Sequence, residues 1–493
     1  MEQNRRDFLR KAGGALSATA LATQIGHFGL MSAFAQTRRR ALKVADVPSD
    51  YRALVCIFLS GGNDANNMIV PIHSDANVSN YAAYAAARSM QGLALAQNVF
   101  LPIPAPRIGG LMYGLHPAFG TVTGGLNGGI HEFWAQGKLA AVTNLGTLVA
   151  PMTRQQYQNG TVPRPMQLFS HSDQANQHQT CRADQMMLSG WGGRISDRMT
   201  VPANPNRLVP TISSLGGAQL FTNGETTQPL ALTPAPTPLS NVLALTGFTN
   251  TPVSQARFNA LNEALSFESS QELVAASAAI HRNAIDISRS LNSTADTTVA
   301  FPNTDIGNQL KQIARMIKSR TVLNINRQIF YCTLGSFDTH TGQIGTQNLL
   351  FVQLSQAMRA FYDEMTAQGL ADKVAQFTLS DFNRTFNPGG SGANVGSDHG
   401  WASHSLVLGG SVLGGDFYGM NTSNGTPFPT LVLNGPDDAD SGNTARGRWI
   451  PTTGVEQYAA TLGTWFGLEA ADKNYVFPNL HNFSVDNLGF MQP

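Results

Sequence analysis

Five stretches of the chain are apolar almost without interruption, and each runs into small or polar residues: "ALVCIFL" (Ala53 to Leu59), "GKLAAVTNLG" (Gly137 to Gly146), "QIFYCTLGSFD" (Gln328 to Asp338), "KVAQFTLSDF" (Lys373 to Phe382) and "SHSLVLGG" (Ser403 to Gly410). Runs this short and this continuous predict strands buried on both faces, as in a parallel sheet covered by helices. Between the third and the fourth lies "TQNLLFVQLSQAMRAFYDEMTAQG", where Leu350, Leu354, Met358, Phe361 and Met365 recur at helical spacing. Strand, helix and strand in that order predict a parallel crossover, and hence an α/β fold with a mostly parallel central sheet flanked by helices.

The middle of the chain reads differently. Residues 200 to 255 are rich in Pro, Thr and Asn and hold no sustained period, which predicts loops with short strands. "ARFNALNEALSF" and "GNQLKQIARMIKSR" then space their apolar residues by three and four, which predicts helices over 255 to 320. Residues 200 to 300 are therefore expected to form a loop and helix insertion, or cap, on one α/β domain.

The predicted strands end in chemistry. Asp64 follows the first in "SGGND", Asp338 and His340 follow the third in "SFDTH", and Asp381 and Arg384 follow the fourth in "SDFNRT". "GSDHGWASH" then adds Asp398, His399 and His404. In open parallel sheets ligands bind beyond the carboxyl ends of the strands, so residues far apart in sequence can converge there. Each fragment alone is an ordinary turn or helix cap. Together, four aspartates and three histidines supply mixed oxygen and nitrogen ligands for two divalent ions, which would relieve the mutual repulsion of the carboxylates. Imidazole with carboxylate suits zinc or manganese, and calcium where carboxylates dominate. A pair of ions can hold the attacking and leaving oxygens of a phosphoryl or sulfuryl transfer.

Composition narrows the class. With 42% hydrophobic residues in 493 the chain is globular and long enough for a sizeable core, and its 13% charged residues predict long polar loops. The first 35 residues stand apart: "NRRDFLRK" with adjacent Arg5 and Arg6, a weakly hydrophobic stretch, and the small-residue site Ala33-Phe34-Ala35 resemble a twin-arginine export signal cleaved before Gln36. This implies passage through the twin-arginine translocase to the periplasm or beyond, with no permanent membrane anchor, since Gln24, His27 and the glycines make a poor hydrocarbon span. Removing that leader's net +2 turns the whole-chain +1 into −1, and no basic field remains for nucleic acid. Cys56, Cys181 and Cys332 form no metal motif, and Cys56 and Cys332 lie in apolar runs as buried thiols.

"IFLSGGNDANNMIVP", "LFSHSDQ", "GWGGR", "SFDTHTGQ", "LSQAMRAFYDEM", "SDFNRT", "GSDHGWASH" and "LVLGGSVLGG", behind the twin-arginine signal, resemble the domain-of-unknown-function 1501 family over nearly the whole mature chain. That family is grouped with the alkaline phosphatase superfamily, so the resemblance implies an alkaline phosphatase-like domain over 36–493. It also implies one metal on Asp338, His340 and His404 and a second on Asp64, Asp398 and His399, with Asp381 replacing or accompanying Asp398. For the nucleophile it implies a hydroxyl at a helix N-terminus, Ser170 first, with Ser172, Thr147 or no nucleophile as alternatives. Cys181 in "QTCRADQ" lacks a sulfatase's Cys-x-Pro-x-Arg context.

Arg384 is expected to clamp an anionic substrate. Arg194 reads as a scaffold partner of a carboxylate such as Asp197, and His116 as either a site residue or a cap. The expected function is an exported metal-dependent hydrolase of phosphate or sulfate esters, small or polymer-borne. Its alternative is a non-catalytic, metal-stabilised binding or assembly protein of the cell envelope. An exported oxidoreductase is disfavoured, as no GxGxxG follows the first strand and no CxxCH occurs.

Overall fold

The computed structural model describes residues 50–120, 128–204, 209–239, 251–266, 272–291 and 295–493. The export signal and cleavage site expected over residues 1–35 lie outside the described residues. A nine-stranded sheet organises the chain: β1 (Arg52–Leu59), β2 (Leu139–Gly146), β3 (Ile212–Ser214), β4 (Leu230–Ala231), β5 (Arg327–Leu334), β6 (Val374–Ser380), β7 (Ser403–Gly409), β8 (Phe417–Tyr418) and β9 (Thr453–Gly454). Their order is β8-β2-β7-β6-β1-β5-β3-β4, with β9 also on β2. A separate three-stranded antiparallel sheet is built from Ile69–Pro71, Leu101–Ala105 and Leu111–Leu115.

β1 is the central strand, parallel to β5 on one side and to β6 on the other. Its continuous apolar run follows from that position. Ala53, Val55, Ile57 and Leu59 enter one core, Leu54, Cys56 and Phe58 enter the other, and all are buried. Each fully buried large aliphatic or aromatic side chain there contributes roughly 1.5–3 kcal/mol. Cys56 and Cys332 therefore sit on adjacent strands but on opposite faces, and all three thiols are free and buried.

Among the described residues the helices of ten or more residues are α1 (His171–Thr180), α2 (Trp191–Ala203), α3 (Pro252–Ser266), α4 (Glu272–Leu291), α5 (Asp305–Lys318), α6 (Gln343–Ala367) and α7 (Val455–Phe466). α6 connects β5 to β6 and buries Leu350, Leu354, Met358, Phe361 and Met365 against the first core, beside α5. α2 and α7 cover the opposite face through Trp191, Ile195, Tyr458 and Leu462. The fold is thus α/β, with a mostly parallel central sheet flanked by helices.

Two details depart from the sequence reading. β7 runs antiparallel to both of its neighbours, β2 and β6, because apolar periodicity reports burial and not direction. Within 200–300, β3 and β4 extend the main sheet beyond β5, so this stretch adds to the scaffold itself. Among the described residues no helix is long and apolar enough to cross a membrane.

Candidate metal centre

Three neighbouring strands end at one place. β1 leads into Gly61-Gly62, whose backbone adopts φ of +113° and +83°, and β5 leads through Ser336, at φ +75°, to Asp338. A β-carbon at Gly61 would stand 2.5 Å from the amide nitrogen of Asp338. β6 leads to Asp381, Phe382 and Arg384, and Arg384 bridges back to His399 in a short antiparallel contact. The fourth contributor is the start of α1, where His171 is the first helical residue.

Three imidazoles meet over this floor. His171 Nε2 lies 3.1 Å from His399 Nε2, and His340 Nε2 lies 3.1 Å from the same atom. Asp338 Oδ1 faces all three, at 3.4 Å from His171, 3.1 Å from His340 and 3.8 Å from His399. His171 and His399 both pack on the ring of Phe382.

The opposite nitrogens explain the arrangement. His171 Nδ1 faces Asp381 Oδ2 at 2.7 Å, His399 Nδ1 faces the carbonyl of Phe169 at 2.7 Å, and His340 Nδ1 faces Asp398 Oδ1 at 3.0 Å. Each of these oxygens accepts, so each Nδ1 carries a proton, and a ring with no second proton presents its lone pair at Nε2. Lone pairs converging at 3.1 Å repel unless a cation lies among them. Ligands about 2.0–2.1 Å from a tetrahedral zinc ion stand roughly 3.3–3.4 Å apart, close to the 3.1, 3.4 and 3.8 Å that separate the donors of His171, Asp338 and His399. His171, Asp338 and His399 form a set whose ligand atoms all lie within 4.8 Å of one another, with His340 adjoining.

The surroundings tune the charges. Hydrogen bonding to Asp381 raises the His171 pKa, whereas burial lowers that of His399. Burial works to raise the Asp338 carboxyl, but the Arg384 guanidinium, 2.7 Å away, holds it below the usual carboxylate range. Asp398 is held down in the same way against its burial, by Arg446 and His340.

Asp338, His340 and His399 therefore face the centre directly. Asp381 and Asp398 stand one layer behind, each orienting a histidine. Asp64 and His404, expected as ligands, are placed elsewhere. The Asp64 carboxylate is fully buried, capping the short helix Ala65–Met68 and receiving the side chains of Arg88 and Gln343. His404 points into the core, where its Nδ1 lies 3.2 Å from the Asn144 amide and its ring packs on Phe428. Burial pushes its pKa down to about 3. Among the described residues one donor set is gathered, where the sequence suggested two.

Arg384 is also reassigned. It is fully buried, and its guanidinium donates to Asp338 and to the carbonyls of Gly61 and Ser397, which leaves it a scaffold for the site and no exposed clamp. Ser170 occupies the N-cap of α1, but its hydroxyl donates to Asp173 at 2.5 Å and lies 3.2 Å from Ser172. Thr147 is buried below Gln174. Among the described residues Arg194 pairs with no carboxylate; it donates to the carbonyls of Thr180, Ser189 and Val476, while Asp197 gathers the amides of residues 225–227. His116 caps its own turn by accepting from the Ala118 amide.

His171, Arg446 and Arg448 are the site residues that the sequence reading left out. "LFSHSDQ" carried the signal for the first, but a histidine beside two serines and an aspartate reads as part of a helix cap.

The family described as "Protein of unknown function (DUF1501)" matches residues 51–427. No curated protein matches the sequence. Among solved structures, the chain is similar to Ps i-CgsB in complex with k-i-k-neocarrahexaose, with 8% identity over 89% of this chain and 75% of that one, at a TM-score of 0.32. It is similar to PsFucS1 sulfatase from Pseudoalteromonas sp., with 9% identity over 76% and 65%, at 0.27. It is also similar to a mutant of the alkaline phosphatase PafA, with 7% identity over 70% and 64%, at 0.24. The chain spans just under two thirds of the length of the last two.

Proposed function

Taking as its premise that this chain belongs to the DUF1501 family, we propose that it is an exported, metal-dependent hydrolase of phosphate or sulfate esters, working in the periplasm or outside the cell. One observation carries the reading: the Nε2 atoms of His171, His340 and His399 converge near Asp338 Oδ1 while every Nδ1 is held by an acceptor. Acceptors behind the ligands are what metal sites use to fix tautomer and aim.

The nitrogen-rich donor set suits zinc or manganese better than calcium. Bound here, such an ion would supply Lewis-acid polarisation of an ester oxygen. The chain's own residues do the rest. Asp381, Asp398 and the Phe169 carbonyl orient the rings, and Arg384 keeps Asp338 ionised and turned inward. On this reading Ser170, one residue before His171 at the N-cap of α1, would supply the attacking hydroxyl after leaving Asp173, the present acceptor of its hydrogen bond.

The test is elemental mass spectrometry of the purified mature protein, followed by a screen of aryl phosphates and aryl sulfates. About one equivalent of zinc or manganese, lost in a His171→Ala/His399→Ala variant together with ester hydrolysis, is the expected result. A protein that takes up no metal under any loading condition overturns the reading.

A second reading has its own support. The Ser170 hydroxyl is turned to Asp173 and Ser172, and a metal site without an aimed nucleophile would serve a non-catalytic binding or assembly protein of the envelope. Metal uptake with no turnover of any ester, unchanged by Ser170→Ala, would favour it.

A further inference from the structure

We infer that Arg446 is the residue that receives the anionic group of the ligand at this centre, as a specificity determinant for a tetrahedral oxyanion. The inference rests on the proposed metal-dependent reading of the same site.

Three arginines surround the histidines, and two of them are each held by two or more acceptors. Arg384 is buried against Asp338 and two carbonyls. Arg448 donates to the carbonyl of His399 and to Asp440 and lies over the Phe169 ring, its guanidinium carbon 4.4 Å from the centroid. Arg446 differs. Its Nη2 donates to Asp398, its side chain is 32% exposed, and among the described residues its Nε and Nη1 donate to nothing.

The loop that presents Arg446 is firmly held. The buried carboxylate of Asp438 accepts the amides of Asn434, Asp440, Gly447 and Arg448, and the Arg446 amide donates to Asp440 at 3.0 Å. The Arg446 carbonyl accepts the Asn387 amide at 2.9 Å, which ties the loop to the segment following Arg384. Arg446 thus stands behind Asp398, whose other carboxylate oxygen faces His340 Nδ1, at the side of the centre where the side chains of His340 and Asp338 are 45% and 47% exposed. Its unused N–H donors are available to an approaching oxyanion.

Charge points the same way. Asp338, Asp381 and Asp398 against Arg384 and Arg446 leave one negative charge, which a divalent cation converts to one positive. The loaded centre would attract an anion, with the Nε and Nη1 donors of Arg446 left to bind it.

The experiment is calorimetric titration of inorganic phosphate, and separately of inorganic sulfate, into the wild type and into Arg446→Ala and Arg446→Lys. Each protein is titrated zinc-loaded and metal-free, with metal content measured on the same samples. The expected result is at least tenfold weaker anion binding by the alanine variant at unchanged zinc content, with partial recovery in the lysine variant. A preference between phosphate and sulfate names the ester class. Anion affinity within twofold of wild type in the alanine variant overturns the inference. So does a loss that only parallels loss of zinc, since Arg446 would then act through Asp398 and His340. Should the alanine variant fail to fold, lysine binding as tightly as arginine would equally overturn a requirement for the planar guanidinium. A wild type that takes up no zinc removes the hydrolase reading, and the metal-free titration still decides the role of Arg446 by whether anion binding depends on it.

Discussion

Asp381 and His171 act as one unit: Asp381 Oδ2 accepts the His171 Nδ1 proton at 2.7 Å and the Gly61 amide at 3.2 Å, while its other oxygen is buried without a partner. The aspartate thereby fixes which nitrogen of His171 faces the centre. Asp381→Asn should lower zinc affinity by about 10–100-fold with little change in fold, as loss of such supporting partners does elsewhere. Competition with a chromophoric chelator reads this directly, and wild-type affinity in the variant would count against the assigned orientation.

Asp64 and Arg88 give the opposite expectation. Both are buried and face each other, so Asp64→Asn leaves a guanidinium without its counter-charge. Stability should fall by about 3–5 kcal/mol in urea unfolding. Zinc per folded molecule should stay as in the wild type, and it should do so in His404→Leu as well. Loss of metal in either variant would return that residue to the ligand set.

Chelation should destabilise the protein. A ligand that binds only the folded state stabilises it by about 4 kcal/mol at a thousandfold excess over its Kd. The melting temperature should therefore rise with free zinc and fall with EDTA. The response should vanish in His171→Ala/His399→Ala.

Glu456 sets a pH dependence far from the centre. At the start of α7 it is fully buried, neither carboxyl oxygen has a hydrogen-bond partner in another described residue, and burial pushes its pKa up to about 8 from 4.5. The folded state therefore holds a proton that the unfolded state releases above pH 4.5. Stability is greatest below that value and declines as pH rises through 8. Glu456→Gln should flatten the decline, with a difference of a few kcal/mol between pH 5 and pH 8. Urea midpoints at the two pH values check it, and parallel curves for variant and wild type would contradict it.

The sheet and the site were unequally legible in the sequence. β1, β5 and β6 declared themselves because burial on both faces forces an unbroken apolar run, and α6 because its buried stripe keeps helical spacing. The direction of β7 left no trace, since the same residues serve a buried strand running either way. At the site, Asp338, His340 and His399 were readable from their place after strand ends. Asp64 follows a strand end equally well, but its side chain turns to Arg88, twenty-four positions on in a helix rich in alanine. Only the fold reveals that partner. His171 was hidden for the converse reason, because the start of a helix is where polar residues gather without any function.

The centre also depends on what is missing from the middle of the sheet. β1 lies between the two strands whose ends supply Asp338 and Asp381, and a side chain at its own terminus would run into the backbone and the Phe382 ring that form the floor beneath the imidazoles. Gly61 and Gly62 leave that space clear: a β-carbon at the first would run into the Asp338 amide, and one at the second would lie 2.5 Å from the ring of Phe382. The flanking strands reach toward each other across a notch one strand wide, cut by two residues without side chains. Its width is the fixed interstrand spacing of roughly 4.8 Å taken twice. The aperture is therefore inherited from backbone hydrogen bonding, and surface loops could vary around it without altering the distance that the ligands must span.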